Sequence, residues 1–322
     1  MARILTGIQS TGTPHLGNLL GAIVPAIEMA NMPENESFLF IADMHSLTQI
    51  KDGETLRQNT LSTAATWLAF GLNPDKSIFY RQSDVAEVTE LTWYLLCFFP
   101  YSRLQIATGF KDKKDRLGDV NGGLFTYPML MAADILIYDA EIVPVGKDQE
   151  QHLEFTKDVA SRFNNQMGET FVLPQVKFRE ETKLIPGTDG LKMSKSRGNE
   201  INIFLTDKKL RKQIMSISTD SKELEDAKDP DTCNIFALYR LLASESQQVE
   251  MRANYTGGGY GYGHAKQALF ELITNTYRKE REKYNHLMEH PEEVENALKL
   301  GQQKAREVAS GVLQRVRAKL GY

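Results

Sequence analysis

Cysteine is scarce in this chain of 322 residues, and its two cysteines, Cys97 and Cys233, lie far apart. Two thiols cannot build a disulfide framework or a four-ligand zinc site. The sequence therefore excludes a small secreted scaffold and a zinc-stabilised domain. It predicts that the protein has no metal site built from its own side chains. It also predicts that the protein lies in the reducing cytoplasm.

Long apolar segments and an excess of one charge are also missing. The longest apolar run, residues 93–99, stops at Pro100 and is too short to span a bilayer. The N-terminus shows no apolar signal-peptide core, so we expect no membrane partner and interpret the run as a buried helix or a subunit contact. The net charge of only −4 argues against a basic DNA-coating protein, although a local lysine and arginine stripe is enough to bind RNA.

The first part of the chain alternates short apolar segments with helical periodicity. This rhythm predicts an α/β fold with a Rossmann-like parallel sheet covered on both faces. The predicted strands are residues 4–6, 38–42, 77–81 and 141–145, and the predicted helices are residues 16–29, 55–70, 87–99, 128–138 and 148–163.

After residue 200 the pattern is helical only. Helices are predicted at residues 206–216, 233–243, 262–281 and 291–320, with a turn at the glycine-rich residues 257–263. The composition shift divides the chain into a Rossmann-like domain, residues 1–200, and an all-helical domain, residues 201–322. The last helix is expected to be able to pack back on the first domain.

Residues 191–197 read Leu-Lys-Met-Ser-Lys-Ser-Arg, with Gly187 and Gly190 before them and Gly198 after them. Flanking glycines predict a mobile loop, and the paired ammonium groups of Lys192 and Lys195 suit polyphosphate. Taken alone, such a segment is more often a solvated basic loop.

A second segment favours a polyphosphate-binding loop over a solvated basic loop. Residues 7–18, Gly-Ile-Gln-Ser-Thr-Gly-Thr-Pro-His-Leu-Gly-Asn, follow the first predicted strand and open a helix. In an open parallel sheet, ligands bind beyond the carboxyl ends of the strands, where residues 43–48 and 146–149 are also expected. There His15 and Asn18 can donate hydrogen bonds to phosphate.

Together the two segments resemble the paired signatures of class I aminoacyl-tRNA synthetases. The His-x-Gly-Asn form of residues 15–18 is usual in the tryptophanyl-tRNA synthetases of that class. Residues 7–9, 127–136 and 143–152 resemble further signatures of the same family, so the resemblance covers nearly the whole chain, in the bacterial type.

The resemblance implies an enzyme that activates tryptophan with ATP and transfers it to tRNA(Trp). It also implies a homodimer, an anticodon-binding helical domain, and Mg²⁺ bound through the ATP phosphates. Lys192, Lys195, His15 and Asn18 would be catalytic. The implied nucleotide contacts are Gln9, Ser10, Thr11, Gly17, Asn18, Gly146, Lys147, Asp148, Leu184, Lys192, Met193, Ser194, Lys195 and Ser196.

The implied tryptophan pocket combines apolar walls with few polar groups. Its members would be Asp134, Leu5, Gly7, His45, Tyr127, Met131, Ile135, Val143, Val145 and Gln149. The family pattern is not followed at Met44 and Lys147, where glutamine and glutamate are common. Lys113 is either a further pyrophosphate contact or part of a solvated face.

Asp134 points to the same pocket without the resemblance. It lies on an otherwise apolar helix, where a carboxylate is costly unless it has a partner. A surface or salt-bridged aspartate is the general alternative. In the family the matching aspartate accepts the indole N–H, which would reject amino acids that lack a donor there.

Four other functions are alternatives to a tryptophan-activating synthetase. A tyrosyl-tRNA synthetase shares the fold but uses another polar set, and a small-molecule adenylyltransferase needs no helical second half. A non-catalytic RNA-binding paralogue would not need His15, Asp134 and both lysines. An NAD-dependent dehydrogenase requires a glycine fingerprint after the first strand, which this sequence lacks.

Overall fold

The computed structural model describes residues 2–107, 121–178 and 185–322. Five parallel strands form one sheet in the order β3-β2-β1-β4-β5. They are β1 (Ala2–Ile8), β2 (Asn35–Ile41), β3 (Ile78–Arg81), β4 (Ile142–Val145) and β5 (Gln175–Phe178). The predicted α/β class with a parallel sheet is confirmed, and β5 is a strand that the sequence did not reveal.

The helices of the first half alternate with these strands. They are α1 (Leu16–Asn18), α2 (Val24–Ala30), α3 (Asp43–Ser46), α4 (Gly53–Ala69), α5 (Glu87–Phe98), α6 (Tyr101–Gln105), α7 (Gly122–Leu136) and α8 (Glu150–Met167). A π-helical turn, Leu19–Ile23, joins α1 to α2, so the helix predicted over residues 16–29 is made of three pieces.

Helix α7 begins six residues before the predicted start at residue 128. Asn121 caps it by accepting a hydrogen bond from the Leu124 N–H at 3.0 Å, and Pro128 is accommodated within the helix. The Asn121 cap and the buried apolar face of α7 place the start of the helix at Gly122 rather than at Pro128.

The remaining helices are α9 (Asp207–Met215), α10 (Asn234–Tyr239), α11 (Glu245–Gly257), α12 (Tyr262–Thr276), α13 (Arg278–Glu289) and α14 (Pro291–Leu320). Helix α11 was missed because it has little apolar character, although Ser244 and Gln247 form a capping box at its start. The helix predicted over residues 262–281 is broken at Tyr277, between α12 and α13.

The chain folds into two compact units. The first contains residues 1–12, 26–181 and 290–322, and the second contains residues 13–25 and 182–289. The units therefore interleave in sequence rather than meeting at one break near residue 200. Which unit binds tRNA stays a prediction.

Helix α14 belongs to the first unit and packs against β3 and α5. At its closest approach a Cβ on Gly301 would overlap the Phe79 carbonyl group, so only glycine fits there. Arginines of the helix pair with carboxylates of the same unit: Arg306 with Glu87, Arg317 with Glu90, and Arg315 with Asp139. Among the described helices, none is long and apolar enough to cross a membrane.

Candidate functional site

A cavity of about 370 Å³ lies in the first unit, at the carboxyl ends of β1, β2 and β4. Strand β1 lies between β2 and β4, which is the switch point where open α/β sheets bind ligands. All ten residues predicted for the tryptophan pocket line it, together with five others. The additional lining residues are Thr6, Gln9, Phe40, Ala42 and Pro144.

Asp134 supplies the negative charge of this cavity. It is 2% exposed, and its Oδ2 accepts hydrogen bonds from His45 Nε2 at 2.9 Å and Gln82 Nε2 at 2.9 Å. Gln82 Nε2 also donates to Asp134 Oδ1 at 2.8 Å. Burial raises the pKa of Asp134, and the hydrogen bonds from His45 and Gln82 oppose that rise. The buried carboxylate is therefore partnered, as its cost requires.

Sequence reasoning missed Gln82. It follows β3 directly, and its side chain is fully buried. A signal was present, because polar residues at the carboxyl ends of neighbouring strands share one edge of the sheet. Gln82 stands after β3 as the predicted site residues stand after β1, β2 and β4.

Tyr127 contributes the second polar contact of the cavity wall. Its hydroxyl lies 2.6 Å from Nε2 of His152, which is 3% exposed, and its ring meets the His45 ring edge-on. These contacts hold a flat aromatic surface and a hydroxyl in fixed positions. A Cβ on Gly7 would overlap the ring of Phe40, so glycine at that position keeps the wall open.

In the second unit, the segment around α1 is built by local capping. His15 is the N-cap residue: its Nδ1 accepts from the Asn18 N–H at 3.1 Å, and its own N–H donates to Asn18 Oδ1 at 3.2 Å. Burial and the nearby Lys195 charge lower the pKa of His15 to about 4. His15 is therefore neutral at pH 7, and because Nδ1 accepts, the ring proton sits on Nε2.

Gly17 connects this segment to the lysine loop. Its N–H donates to the sulfur of Met193 at 3.2 Å, and Met193 is buried. A Cβ at position 17 would lie 3.0 Å from the His15 ring and 3.3 Å from Cβ of Met193. Residues 13–18 of the first signature and the lysine loop, found far apart in the sequence, thus meet within the second unit.

The lysine loop is organised around Asn199, which is 2% exposed. Its Oδ1 accepts from the Ser194 N–H at 2.8 Å, and its Nδ2 donates to Asp189 Oδ1 at 2.6 Å and to the Lys192 carbonyl at 3.2 Å. Gly190 and Gly198 adopt positive φ, which glycine tolerates best. Sequence reasoning missed Asn199, although a buried amide that satisfies backbone groups is a usual loop anchor.

The two lysines of the loop differ in environment. Lys192 is exposed, whereas Lys195 is partly buried and burial lowers its pKa to about 8, against the opposing influence of Glu200. Ser194 and Ser196 hydroxyls lie 2.8 Å apart. Lys195 near pH 7 is thus a charged group that has lost part of its hydration, which strengthens its attraction to phosphate.

The other predicted nucleotide contacts lie in the first unit or outside the described residues. The hydroxyl of Ser10 is buried against Ser46 and Thr60. Gly146 begins a tight turn in which Asp148 accepts from the Gln149 amide at 2.9 Å, and Lys147 is exposed. Gln9 and Thr11 also belong to this unit, whereas Leu184 and Lys113 lie outside the described residues.

Met44 departs from the family pattern in its side chain only. Its backbone N–H donates to Asp43 Oδ1 at 3.1 Å and to Gln82 Oε1 at 3.2 Å. These bonds use the main chain, so the position keeps its place in the network with methionine.

Proteins of known function are similar in sequence to this chain over its whole length. The tryptophan–tRNA ligase of Campylobacter jejuni strain RM1221 is 47% identical over 99% of both chains, and that of Fusobacterium nucleatum is 44% identical over 100% of this chain and 98% of its own. Two crystal structures of tryptophanyl-tRNA synthetases are similar as well. That of Campylobacter jejuni complexed with ADP and tryptophan has a TM-score of 0.96 at 47% identity, covering 99% of this chain and 100% of its own.

The second structure, from Mycoplasma pneumoniae, has a TM-score of 0.82 at 31% identity and covers 100% of this chain and 98% of its own. Residues 1–278 match the family described as tRNA synthetases class I (W and Y). The chain therefore belongs to the class I tRNA synthetases of the tryptophan and tyrosine group.

Proposed function

We propose that this chain is a tryptophan–tRNA ligase, a class I aminoacyl-tRNA synthetase. The observation that carries the proposal is the buried carboxylate of Asp134 in a cavity otherwise walled by apolar and aromatic groups. Such a group accepts a hydrogen bond from the indole N–H while the walls pack on the indole faces. A cavity of about 370 Å³ lies within the usual range for a small-molecule site.

The first reaction forms tryptophanyl-adenylate. The tryptophan carboxylate attacks the α-phosphorus of ATP in line, the bond to the bridging oxygen breaks, and pyrophosphate leaves. No covalent enzyme intermediate is needed, because positioning and charge stabilisation do the work. Lys195 and Lys192 neutralise the leaving pyrophosphate, and the Nε2–H of His15 and the amide of Asn18 donate to phosphate oxygens.

Mg²⁺ is proposed to bind through the ATP phosphates, where it neutralises phosphate charge. The described residues contain no group of three or more His, Cys, Asp or Glu side chains placed to hold a metal. The donor set therefore suits an ion whose ligands come from phosphate and water.

The second reaction transfers the amino acid. The 2′ hydroxyl of the terminal adenosine of tRNA(Trp) attacks the carbonyl carbon of the adenylate, and AMP leaves. We assign anticodon binding to the helical part of the second unit. Lys208, Lys209 and Lys212 of α9 are exposed in this unit and are candidate contacts, whereas Arg306, Arg315 and Arg317 lie in the first unit and are paired with carboxylates.

We also propose a homodimer in the cytoplasm. Trp93 and Tyr101 each remain 65% exposed on neighbouring helices, which is unusual for such large apolar side chains and supports a subunit contact. Both cysteines are free, and Cys97 is exposed, as suits a reducing compartment. A molecular mass of one chain in light scattering would contradict the dimer.

The decisive experiment is amino-acid-dependent exchange between ATP and pyrophosphate, measured for each of the twenty amino acids without tRNA. Exchange with tryptophan alone is expected, followed by charging of tRNA(Trp). Exchange with tyrosine instead would make the chain a tyrosyl-tRNA synthetase. No exchange with any amino acid would favour the non-catalytic paralogue.

A further inference from the structure

Gln82 is a neutral side chain with no solvent exposure in the centre of a polar network. It begins the turn Gln82–Asp84 that follows β3, and it does not itself line the cavity. A fully buried amide is stabilising only when both its oxygen and its nitrogen are hydrogen-bonded. Its partners therefore indicate why glutamine is present.

The orientation of the Gln82 amide follows from those partners. Two backbone N–H groups, of Met44 at 3.2 Å and His45 at 3.4 Å, face Oε1. N–H groups only donate, so the atom facing them must be the oxygen. The NH₂ group is then directed at Asp134, where it donates to Oδ1 at 2.8 Å and Oδ2 at 2.9 Å.

This arrangement fixes the Asp134 carboxylate. Oδ2 accepts from both His45 and Gln82, whereas Oδ1 accepts from Gln82 alone among the described residues. A carboxylate oxygen can accept two hydrogen bonds, so Oδ1 retains acceptor capacity in the cavity. Removing Gln82 would free the carboxylate to rotate and would weaken its ionised form.

We propose that Gln82 is a positioning residue that sets tryptophan specificity by holding Asp134 oriented and ionised for the indole N–H. This inference rests on the proposed function and deepens it. Gln82 does not line the cavity and its NH₂ group donates to Asp134, so its contribution to specificity depends on the substrate having a ring donor. An amino acid of the same shape without that donor gains nothing from it.

The test compares two substrates in ATP–pyrophosphate exchange: tryptophan, and the analogue in which sulfur replaces the indole N–H. In the Gln82→Met variant, which keeps the length but loses both hydrogen-bonding ends, kcat/KM for tryptophan is expected to fall about 10- to 100-fold. For the sulfur analogue it should change less than about threefold. An equal fall for both substrates would reduce Gln82 to a structural role and overturn the proposal.

The pH profile gives a second readout. Ionised Asp134 accepts the N–H, so kcat/KM for tryptophan rises as pH rises through the pKa of that carboxyl. Losing the Gln82 donor raises this pKa, and the acidic limb of the profile should move to higher pH in the variant. An unmoved limb would contradict the proposal.

Gln302→Met is the matched control. Gln302 donates to the carbonyl of Asp84, in the same turn, at 3.2 Å and does not contact Asp134. Its substrate ratio and pH profile should equal those of the wild type. If Gln82→Met does not fold, Gln82→Asn serves, because its shorter amide cannot reach both Met44 and Asp134.

Exchange by the wild type distinguishes a failure of the proposed function from a failure of the proposed role of Gln82. If the unmodified chain shows no tryptophan-dependent exchange, the proposed function fails. If it is active and the ratio between tryptophan and the sulfur analogue is the same in Gln82→Met, only the role of Gln82 fails.

Discussion

The cavity of the first unit, proposed to bind tryptophan, and the lysine loop of the second unit differ in how their charged groups are compensated. In the cavity, a buried carboxylate is surrounded by donors from two other segments of the chain, at His45 and Gln82. In the loop, Lys195 is partly buried, and its pKa is lowered to about 8 by that burial. A carboxylate that is already hydrogen-bonded is held in one orientation and selects a ligand with a donor at one position. A partly buried ammonium group without full compensation favours an anionic ligand.

The two regions also differ in how they are built. The segment around α1 is organised by contacts between near neighbours in sequence, such as the capping box of His15 and Asn18. The cavity is organised by contacts between residues 37 to 89 positions apart, as in the bonds from the His45 N–H to Gln82 Oε1 and between His45 Nε2 and Asp134 Oδ2. Damage to one region should therefore leave the binding of the other region's proposed substrate unchanged.

Lys195→Ala should give the largest effect. Removing a preorganised cation from a developing charge lowers the activation rate about 10²- to 10³-fold, while tryptophan binding is unchanged. Single-turnover adenylate formation measures the rate, and equilibrium tryptophan binding measures affinity. Lys299→Ala, at an exposed lysine of α14, is the control and should behave as the wild type. An unchanged rate in Lys195→Ala would remove the loop from the mechanism.

Asp134→Asn should lower kcat/KM for tryptophan and leave KM for ATP nearly unchanged. The asparagine keeps the shape but places an NH₂ group among the donors of His45 and Gln82, so kcat/KM for tryptophan should fall about 100-fold. KM for ATP should change by less than about twofold. Asp75→Asn, at an exposed aspartate, is the control. Equal losses for both substrates would break the separation between the regions.

The pH dependence sharpens the same contrast. Lys195 must be protonated to bind phosphate, and its pKa is about 8 in the free protein. Below that value kcat/KM for ATP should be constant, and above it the value should fall about tenfold per pH unit. Lys195→Arg keeps its charge and should remove this alkaline limb. An alkaline limb that persists in Lys195→Arg would assign the titration to another group.

Gly17→Ala should give the smallest effect. The new Cβ would meet the His15 ring at 3.0 Å and Met193 Cβ at 3.3 Å, so the contact must open by a few tenths of an ångström. We expect KM for ATP to rise about three- to tenfold, with tryptophan binding unchanged. Gly21→Ala is the control, since its Cβ would make an ordinary contact with Ile185 at 3.9 Å. A weaker tryptophan affinity in Gly17→Ala would contradict the separation between the two regions.

Much of the fold follows from periodicity. Apolar segments of β2 and β4 and the helical spacing of α4, α5 and α14 gave elements within about three residues of their observed bounds. Helix α11 and strand β5 were missed because neither has a strong apolar pattern. Burial of α7 and its Asn121 cap overrode the local effect of its glycines and proline.

The ten residues predicted for the pocket meet at one cavity because strand ends of a parallel sheet share an edge. Gln82 and Asn199 were not predicted. Each is a neutral amide whose role lies in satisfying other groups, and neither residue type nor spacing reveals that role. The place of Gln82 directly after β3 points to the site, but only burial and hydrogen-bond partners reveal its role and identify Asn199.

By itself the sequence determined the α/β class, the two signature segments and the residues that meet in the cavity. The local pattern of apolar and capping residues specified most of the strands and helices. Tertiary structure alone decided that residues 13–25 join the lysine loop in the second unit and that residues 290–322 return to the first. It also decided which side chains hold Asp134, because a buried charge takes its partners from whatever segments packing brings within hydrogen-bond distance.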